Sequence, residues 1–265
     1  MKFTNLENKF FRALLLLLAI GLLFISCRKD DSEPFSPYAD EDVYVAGGMQ
    51  ETYYTRAVYW KNDVPVVLLD GPRASIAYDI FVDNTDVHAV GSFKDETYQD
   101  KPALWKNTTL FPLSTNNTIG EAKAVYVSEN IHYIVGYEQH GAYKKAKLWM
   151  GGFSLTLKPN DNADSEFNSV YVDHHKVYIA GYEYEGSIKK AKYWIYQPGG
   201  FSPSPTPLSD AQSFTLAQSS YGFCDARSIT VKSDKIYVAG TDGDKSTIWI
   251  DGQPTVIYTG IGPYL

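Results

Sequence analysis

The sequence predicts an all-β protein in which one supersecondary unit occurs five times. Two markers carry this prediction. A glycine that closes an alternating apolar run recurs at intervals of 44, 45, 45 and 59 residues, and tryptophan recurs at intervals of 45, 44, 45 and 55 residues. The glycines are Gly47, Gly91, Gly136, Gly181 and Gly240, and the tryptophans are Trp60, Trp105, Trp149, Trp194 and Trp249. A period of about 45 residues accommodates four short antiparallel strands.

The composition agrees with this fold class and limits the possible partners. The chain has 21 Tyr, 13 Phe, 20 Gly and 13 Pro, which is typical of many short strands joined by turns. Its formal net charge is -7, and an acidic surface binds nucleic acid poorly because phosphate contacts need clustered Lys and Arg. Two cysteines are too few for a disulfide framework or a cysteine-based zinc site. We therefore expect no nucleic-acid partner, metal or cofactor.

The amino-terminal segment has the pattern of a secretory signal. Residues 2–12 carry positive charges, and residues 13–25 are wholly apolar but too short to span a bilayer comfortably. Phe24-Ile25-Ser26-Cys27 resembles the lipobox of bacterial lipoproteins, which implies cleavage before Cys27 and a lipid on its sulfur. Several acyl chains together hold a protein stably on a membrane. We predict a signal peptide over residues 1–26 and a lipidated acidic tether over residues 27–41.

The tether also carries a candidate export signal. The charged run over residues 28–33 resembles the Lys-Asp-Asp signal that directs Bacteroidetes lipoproteins to the outer face of the outer membrane. The alternative is an ordinary solvated linker. Because the run directly follows the predicted lipidation site, we expect the protein to be anchored on the outer membrane, facing the extracellular side.

Each unit is predicted to contain four strands. The first has the pattern Ala-x-x-hydrophobic-x-Val, a polar hairpin turn follows, the second strand ends at the repeated glycine, and the third ends at the tryptophan. First strands are expected at 77–82, 122–127, 167–172 and 226–231, and fourth strands at 66–69, 110–113, 153–157 and 255–258. Because one such sheet cannot bury both of its apolar faces, neighbours must stack around an axis. Residues 42–265 are therefore predicted to form a five-bladed β-propeller.

The repeated glycines and tryptophans have expected structural roles. Glycine permits a positive φ or a close approach of two strands, and tryptophan fills the space between neighbouring blades. A sugar-stacking platform is the alternative for the aromatic residues. The first unit begins with a second strand at 43–47, so either residues 35–39 or the carboxyl terminus must complete the fifth blade.

The repeats resemble those of a known group of proteins. Val-Tyr-Val-Ala-Gly at 43–47, Ala-Val-Tyr-Trp-Lys-Asn at 57–62 and Leu-Leu-Asp-Gly at 68–71 are similar to the tandem repeats of Bacteroidetes surface lipoproteins. They are similar, more distantly, to the extracellular HAF repeats. The resemblance implies an extracellular propeller-like array and brings no catalytic residues with it.

Residues that might carry chemistry are sparse in the sequence. The predicted first strands bring Asp79, Ala124, Ser169 and Ser228 to equivalent places, which is not the carboxylate ring of a propeller glycosidase. His88 and His132 occupy a strand position that other units fill with tyrosine. The acidic stretch at 161–166 has oxygen ligands suitable for Ca²⁺, but it lacks the spacing and the glycine of an EF-hand, which favours a solvated loop. We therefore predict that the protein is not an enzyme.

One end of the predicted propeller gathers aromatic and basic residues. The turns between second and third strands lie there with the links between blades, including the long insertion at 197–223. The candidate ligand-binding residues are Tyr54, Tyr98, Tyr143, Tyr184, Lys190, Phe201, Phe214 and Tyr221. We predict a non-catalytic module that binds a glycan or an outer-membrane protein. The alternatives are a glycan-cleaving enzyme and a scaffold subunit of an uptake or adhesion complex.

Overall fold

The computed structural model describes residues 42–114, 118–158, 160–199 and 205–260. Within these ranges the chain forms five antiparallel sheets and one short 3-10 helix, Leu208–Asp210. No helix in the described ranges has the length and apolar character needed to cross a membrane. The predicted signal peptide, Cys27, the tether up to residue 41 and Phe201 lie outside the described residues.

The sheets follow one another along the chain. The first contains β1 (Tyr44–Gln50), β2 (Thr55–Lys61) and β3 (Val64–Val67), and the second contains β4 (Ser75–Asp83), β5 (Asp86–Lys94), β6 (Asp100–Lys106) and β7 (Thr109–Pro112). The third contains β8 (Gly120–Ser128), β9 (Ile131–His140), β10 (Tyr143–Met150) and β11 (Phe153–Thr156). The fourth contains β12 (Ser165–Asp173), β13 (Lys176–Glu185), β14 (Ile188–Tyr196) and β15 (Gln212–Ser219). The fifth contains β16 (Cys224–Lys232), β17 (Lys235–Asp242), β18 (Lys245–Ile250) and β19 (Gln253–Thr259).

The sheets pack in series as a propeller-like array. The first strands β4, β8, β12 and β16 each contact the next, so we call them the inner strands. Their register places Ser75 opposite Phe93 and Gly120 opposite Glu138, so each inner strand begins beside the end of the following strand. We call this end of the array the upper end. The prediction of an all-β fold with repeated antiparallel sheets is confirmed.

The first sheet has three strands in the described residues, where each of the others has four. Gly47 of β1 pairs with Val58 of β2, just as Gly91 of β5 pairs with Ala103 of β6. β1 is therefore equivalent to the second strand of the other sheets, as the sequence predicted from its glycine.

The repeated glycines allow the second strand to approach the inner strand closely. A Cβ atom added to Gly91, Gly136, Gly181 or Gly240 would lie 1.9, 2.0, 2.1 or 2.0 Å from a backbone oxygen of the neighbouring inner strand. At the same level each inner strand has a β-bulge, which falls between Ala77 and Asp79 in the second sheet. The corresponding bulges follow Ala122, Phe167 and Ala226. Only glycine fits this approach.

Four of the five tryptophans are buried between neighbouring sheets. Trp105, Trp149, Trp194 and Trp249 are at most 5% exposed. Each packs in a cluster that also holds residues of the preceding sheet, as Trp194 does with Ala146 and Leu148 of β10. Trp60 is half-buried because it belongs to the first sheet, which no other sheet precedes within the described residues.

The segment at 197–223 is not a simple insertion. Residues 212–219 form β15, the outermost strand of the fourth sheet, and pair with β14. Phe214 of this strand stacks on Tyr193 with the ring centroids 4.6 Å apart. The interpretation of the whole segment as an insertion between blades is therefore wrong for residues 212–219, which belong to a sheet. The alternating apolar residues Phe214 and Leu216 signal a strand, but the long link before them obscured the period.

Aromatic rings fill the array at the opposite, lower end. Phe81, Tyr126 and Tyr171 occupy equivalent positions on three inner strands, with centroids 4.9 and 5.1 Å apart. Between the second and third sheets, His132 Nε2 and His88 Nδ1 share a hydrogen bond of 2.9 Å, and burial lowers the pKa of both imidazoles. Side chains of neighbouring inner strands are thus in contact at this end.

Candidate active site

Three acidic residues occupy equivalent positions at the upper end of the array. Glu121, Glu166 and Asp225 each precede the bulge of an inner strand, directly before Ala122, Phe167 and Ala226. In the second sheet this position is Ile76. We call the three acids the carboxylate cluster. The sequence does not single them out, because its pattern aligns other residues of the same strands, three positions later: Asp79, Ala124, Ser169 and Ser228.

Glu166 lies at the centre of the cluster and is surrounded by hydrogen-bond donors. Lys144 Nζ lies 3.0 Å from its Oε2 atom, and the Tyr182 hydroxyl donates to the same oxygen at 3.1 Å. Lys123 Nζ lies 3.9 Å from its Oε1 atom. Although the residue is only 7% exposed, its charge is therefore compensated from two neighbouring sheets.

Glu121 shares the Lys123 ammonium with Glu166. Lys123 Nζ forms an ion pair with Glu121 Oε2, so one cation lies between carboxylates of adjacent inner strands. The hydroxyls of Tyr78 and Tyr137 also interact with Glu121. Burial, and then the Glu121 charge, raise the pKa of Tyr78 to about 12, and the same two causes raise the pKa of Tyr137. Both phenols therefore remain protonated and act as donors at neutral pH.

Asp225 differs from the two glutamates in its surroundings. Asn168 Nδ2 donates to its Oδ1 atom at 2.9 Å, and Lys189 Nζ lies 3.4 Å from its Oδ2 atom. Burial raises the pKa of Asp225, and the neighbouring Glu166 charge raises it further, while Lys189 and Arg227 act in the opposite direction. The net effect is a carboxyl group that keeps its proton to a higher pH than an ordinary aspartate.

The lysines of the site are held against tyrosine rings. Lys123 lies over Tyr78 at 4.1 Å from the ring centroid, Lys144 over Tyr137 at 4.1 Å, and Lys189 over Tyr182 at 3.9 Å. The same combination of carboxylate, phenol and ammonium thus recurs in successive sheets. Such stacking restricts a flexible lysine side chain, so the donors around the carboxylates are preorganised.

Asp79 has a different role from the carboxylate cluster. Its Oδ2 atom accepts a hydrogen bond of 2.8 Å from the backbone N–H of Val125 on the next inner strand. Ser169 makes the equivalent bond to the N–H of Ile229 at 3.2 Å. These side chains tie neighbouring inner strands together, and the hydrogen bond from Val125 stabilises the half-buried carboxylate of Asp79.

The turns and links at the upper end carry several of the ligand residues predicted from the sequence. Tyr98, Tyr143 and Tyr221 are 77%, 37% and 82% exposed at the upper end. The Tyr54 hydroxyl instead accepts a hydrogen bond from Arg56 at 3.2 Å, and Lys190 forms an ion pair with Glu185. Tyr184 packs near Tyr182, with the centroids 6.1 Å apart. Phe214 belongs to a strand, and Phe201 lies outside the described residues.

In the acidic stretch at 161–166, the candidate calcium site, backbone oxygens bind a lysine side chain. The ammonium group of Lys145 binds the backbone oxygens of Asp161 and Ala163, the latter at 2.8 Å, and so occupies the place of a cation. Within the described ranges, no three His, Cys, Asp or Glu side chains are arranged to hold a metal ion.

Comparisons with known proteins concern the fold. Neither a protein-family model nor a curated protein matches the sequence. A thermostable family-43 glycoside hydrolase aligns with 84% of this chain and 96% of its own, at 13% identity and a TM-score of 0.45. A Bombyx mori GH32 beta-fructofuranosidase aligns over 75% of this chain and 52% of its own, at 8% identity and a TM-score of 0.42. A further glycoside hydrolase aligns over 83% and 61%, at 11% identity and a TM-score of 0.40.

The similar structures named above are glycoside hydrolases, and their likeness to this chain concerns the fold. The prediction that the protein is not an enzyme is wrong in its premise. The chain spans about half the length of the beta-fructofuranosidase that it resembles. The prediction rested on a missing carboxylate ring. The inner strands do carry acidic residues, at the position directly before each bulge.

Proposed function

We propose that the protein is a glycan-cleaving hydrolase whose active site is the carboxylate cluster. One observation carries this proposal: Glu121, Glu166 and Asp225 occupy equivalent positions on three adjacent inner strands, each surrounded by hydrogen-bond donors. Glycoside hydrolysis needs two carboxyl groups in different protonation states near one glycosidic bond. We further propose that the five sheets are the blades of one propeller, with the cluster at the upper end of its axis.

The surroundings of the three acids suggest a different catalytic role for each of them. Asp225, with its raised pKa, is the candidate general acid that protonates the leaving oxygen. Glu166, held by Lys144 and Tyr182, is the candidate base or nucleophile at the anomeric carbon. Glu121 shares Lys123 with Glu166 and so orients that ammonium. The tyrosine and lysine donors are suited to hydrogen-bonding sugar hydroxyls.

The test is turnover of defined polysaccharides. We expect the purified protein to release reducing sugars from at least one of xylan, pectin, levan, alginate and starch. Glu166→Gln and Asp225→Asn should each lower that rate by about 10²- to 10⁴-fold, the usual contribution of a positioned acid or base. Asp79→Asn is the matched control, since Asp79 lies on an inner strand outside the cluster and should leave the rate nearly unchanged. Circular dichroism would verify that each variant is folded.

Two further measurements distinguish the role of the general acid, Asp225, from that of Glu166. Because only protonated Asp225 donates, the rate should fall as pH rises through its pKa, and this alkaline limb should be absent in Asp225→Asn. Asp225→Asn should retain more activity on aryl glycosides whose leaving group needs no protonation, whereas Glu166→Gln should not. Release of sugar at an unchanged rate by both variants would exclude the cluster as the active site. No turnover of any substrate would count against the hydrolase proposal itself.

We also propose that the protein is lipid-anchored at Cys27 on the outer membrane and faces the outside of the cell. The lipobox-like sequence and the charged run at 28–33 support this location, which would place the active site where extracellular glycans are encountered. Cys27→Ser should abolish labelling by a fatty-acid analogue. Replacing Lys29, Asp30 and Asp31 by alanine should keep the label but protect the protein from protease added to intact cells. Unchanged surface cleavage would exclude the export signal.

A further inference from the structure

Tyr98 has an unusual backbone conformation for an aromatic residue. Its φ is 60°, and it is the only Tyr, Phe or Trp of the described residues in the left-handed region. A bulky side chain is disfavoured there because its Cβ approaches a backbone oxygen. The ring is nonetheless 77% exposed, so burial of its apolar surface does not offset this strain.

Other sheets fill the comparable place with glycine. The loops after β9, β13 and β17 contain Gly141, Gly186 and Gly243, with φ values of 62°, 62° and 64°. The loop after β5 is longer, and its left-handed residue is Tyr98. Glycine, which a left-handed turn position favours, thus occurs at the comparable place in three other sheets. The second sheet has an exposed aromatic ring there instead.

The loop is built to hold Tyr98 in this conformation. Asp95 Oδ1 accepts hydrogen bonds from the N–H and hydroxyl of Thr97, at 2.8 and 2.7 Å, and from the N–H of Gln99 at 3.1 Å. The Tyr98 N–H donates to the backbone oxygen of Asp95 at 3.1 Å. The bonds from Thr97 and Gln99 to the carboxylate, together with the Lys101 ammonium, lower the pKa of Asp95 to about 2. The Asp95 carboxylate is therefore ionised near neutral pH, and the hydrogen bonds that it accepts in the loop are kept.

The loop is also connected to the carboxylate cluster. Lys94 Nζ binds the backbone oxygen of Tyr98 at 3.4 Å and a carboxylate oxygen of Asp100 at 3.0 Å. The Asp100 charge acts on Tyr78, whose hydroxyl interacts with Glu121. Lys94 thus joins the Tyr98 backbone to Asp100, and the Asp100 charge acts through space on the tyrosine beside the first acid of the cluster.

From the strain, the exposure and this connection, we propose that Tyr98 is a sugar-stacking subsite for the part of a polysaccharide that extends beyond the cleavage site. An exposed ring presents a flat apolar face that matches the C–H face of a pyranose. The inference rests on the proposed hydrolase function and adds that the substrate is a polymer, because a single sugar at the cluster has no reason to reach this loop.

Affinity electrophoresis in gels containing xylan, pectin, levan, alginate or starch tests the subsite. We expect at least one polymer to retard the purified protein, and Tyr98→Gly to lose most of that retardation. Because glycine accepts the left-handed conformation, Tyr98→Gly should keep or raise the melting temperature. Tyr98→Trp should retain binding, since it restores a ring. In turnover assays, Tyr98→Gly should raise KM at least fivefold for the polymer and leave an aryl glycoside unaffected.

Tyr258→Ala is the matched control, because Tyr258 is similarly exposed, at 65%, but lies on the edge strand β19. It should not change retardation. A lower melting temperature for Tyr98→Gly would show that the ring is structural and would overturn the proposal. Retardation of Tyr98→Gly equal to that of the wild type would also overturn it, and so would the absence of retardation of the wild type by every polymer. If hydrolysis persists with an unchanged KM, the subsite is excluded while the hydrolase function stands.

Discussion

Trp194→Ala is expected to lower the free energy of unfolding by about 3–5 kcal/mol, the usual cost of removing a buried tryptophan from a well-packed core. Trp194 is 2% exposed and lies edge-on to Phe167, with the centroids 5.0 Å apart. Its cluster joins the third and fourth sheets, so the cavity would open at the boundary that holds them together. Urea unfolding monitored by circular dichroism would measure the loss.

Trp60→Ala provides the comparison, because Trp60 occupies the same repeat position but is half-buried in the described residues. Its removal deletes less packing and should cost clearly less than Trp194→Ala. Equal losses at the two positions would contradict the view that the tryptophan stabilises the array by filling the space between consecutive sheets. A loss below about 1 kcal/mol for Trp194→Ala would be typical of a surface substitution and would contradict its burial.

Gly181→Ala is expected to destabilise the protein by about 3 kcal/mol or more, at the upper end of the cost of overpacking. The added Cβ would lie 2.1 Å from the backbone oxygen of Glu166, and backbone cannot rotate away as a side chain does. The inner strand would have to move, and Glu166 would move with it. We therefore expect both a lower midpoint of urea unfolding and a loss of turnover.

Gly47→Ala is the matched control for this substitution. Gly47 is the equivalent glycine of the first sheet, where the nearest described atom is a ring carbon of Trp60, 3.0 Å from an added Cβ. Because that ring is half-buried and able to shift, the cost should stay below about 1 kcal/mol. If Gly181→Ala were as mild as Gly47→Ala, the close strand approach would not be a determinant of the fold.

Much of the fold was predictable from the sequence, because residues that recur at a constant spacing show the length of the repeated unit. Gly91, Gly136 and Gly181 mark the ends of second strands, and polar turns such as Asp173–Lys176 mark hairpins, so strand order follows from local pattern alone. The three-stranded first sheet was also foreseeable, because Val43–Gly47 enters the repeat at its second strand. The strand β15 was not, since its distance from β14 breaks the period.

The candidate site was decided by the tertiary structure. The sequence shows Glu121, Glu166 and Asp225 as isolated acids on strands 45 or more residues apart, with nothing to distinguish them from Asp79. Only the packing of consecutive inner strands shows that Lys123 contacts two carboxylates, that Asn168 reaches Asp225, and that Asp79 binds a backbone N–H. The period of the chain determines which residues are equivalent. Which equivalent residues meet depends on the bulges and on contacts between sheets, because these set the direction and the neighbours of each side chain.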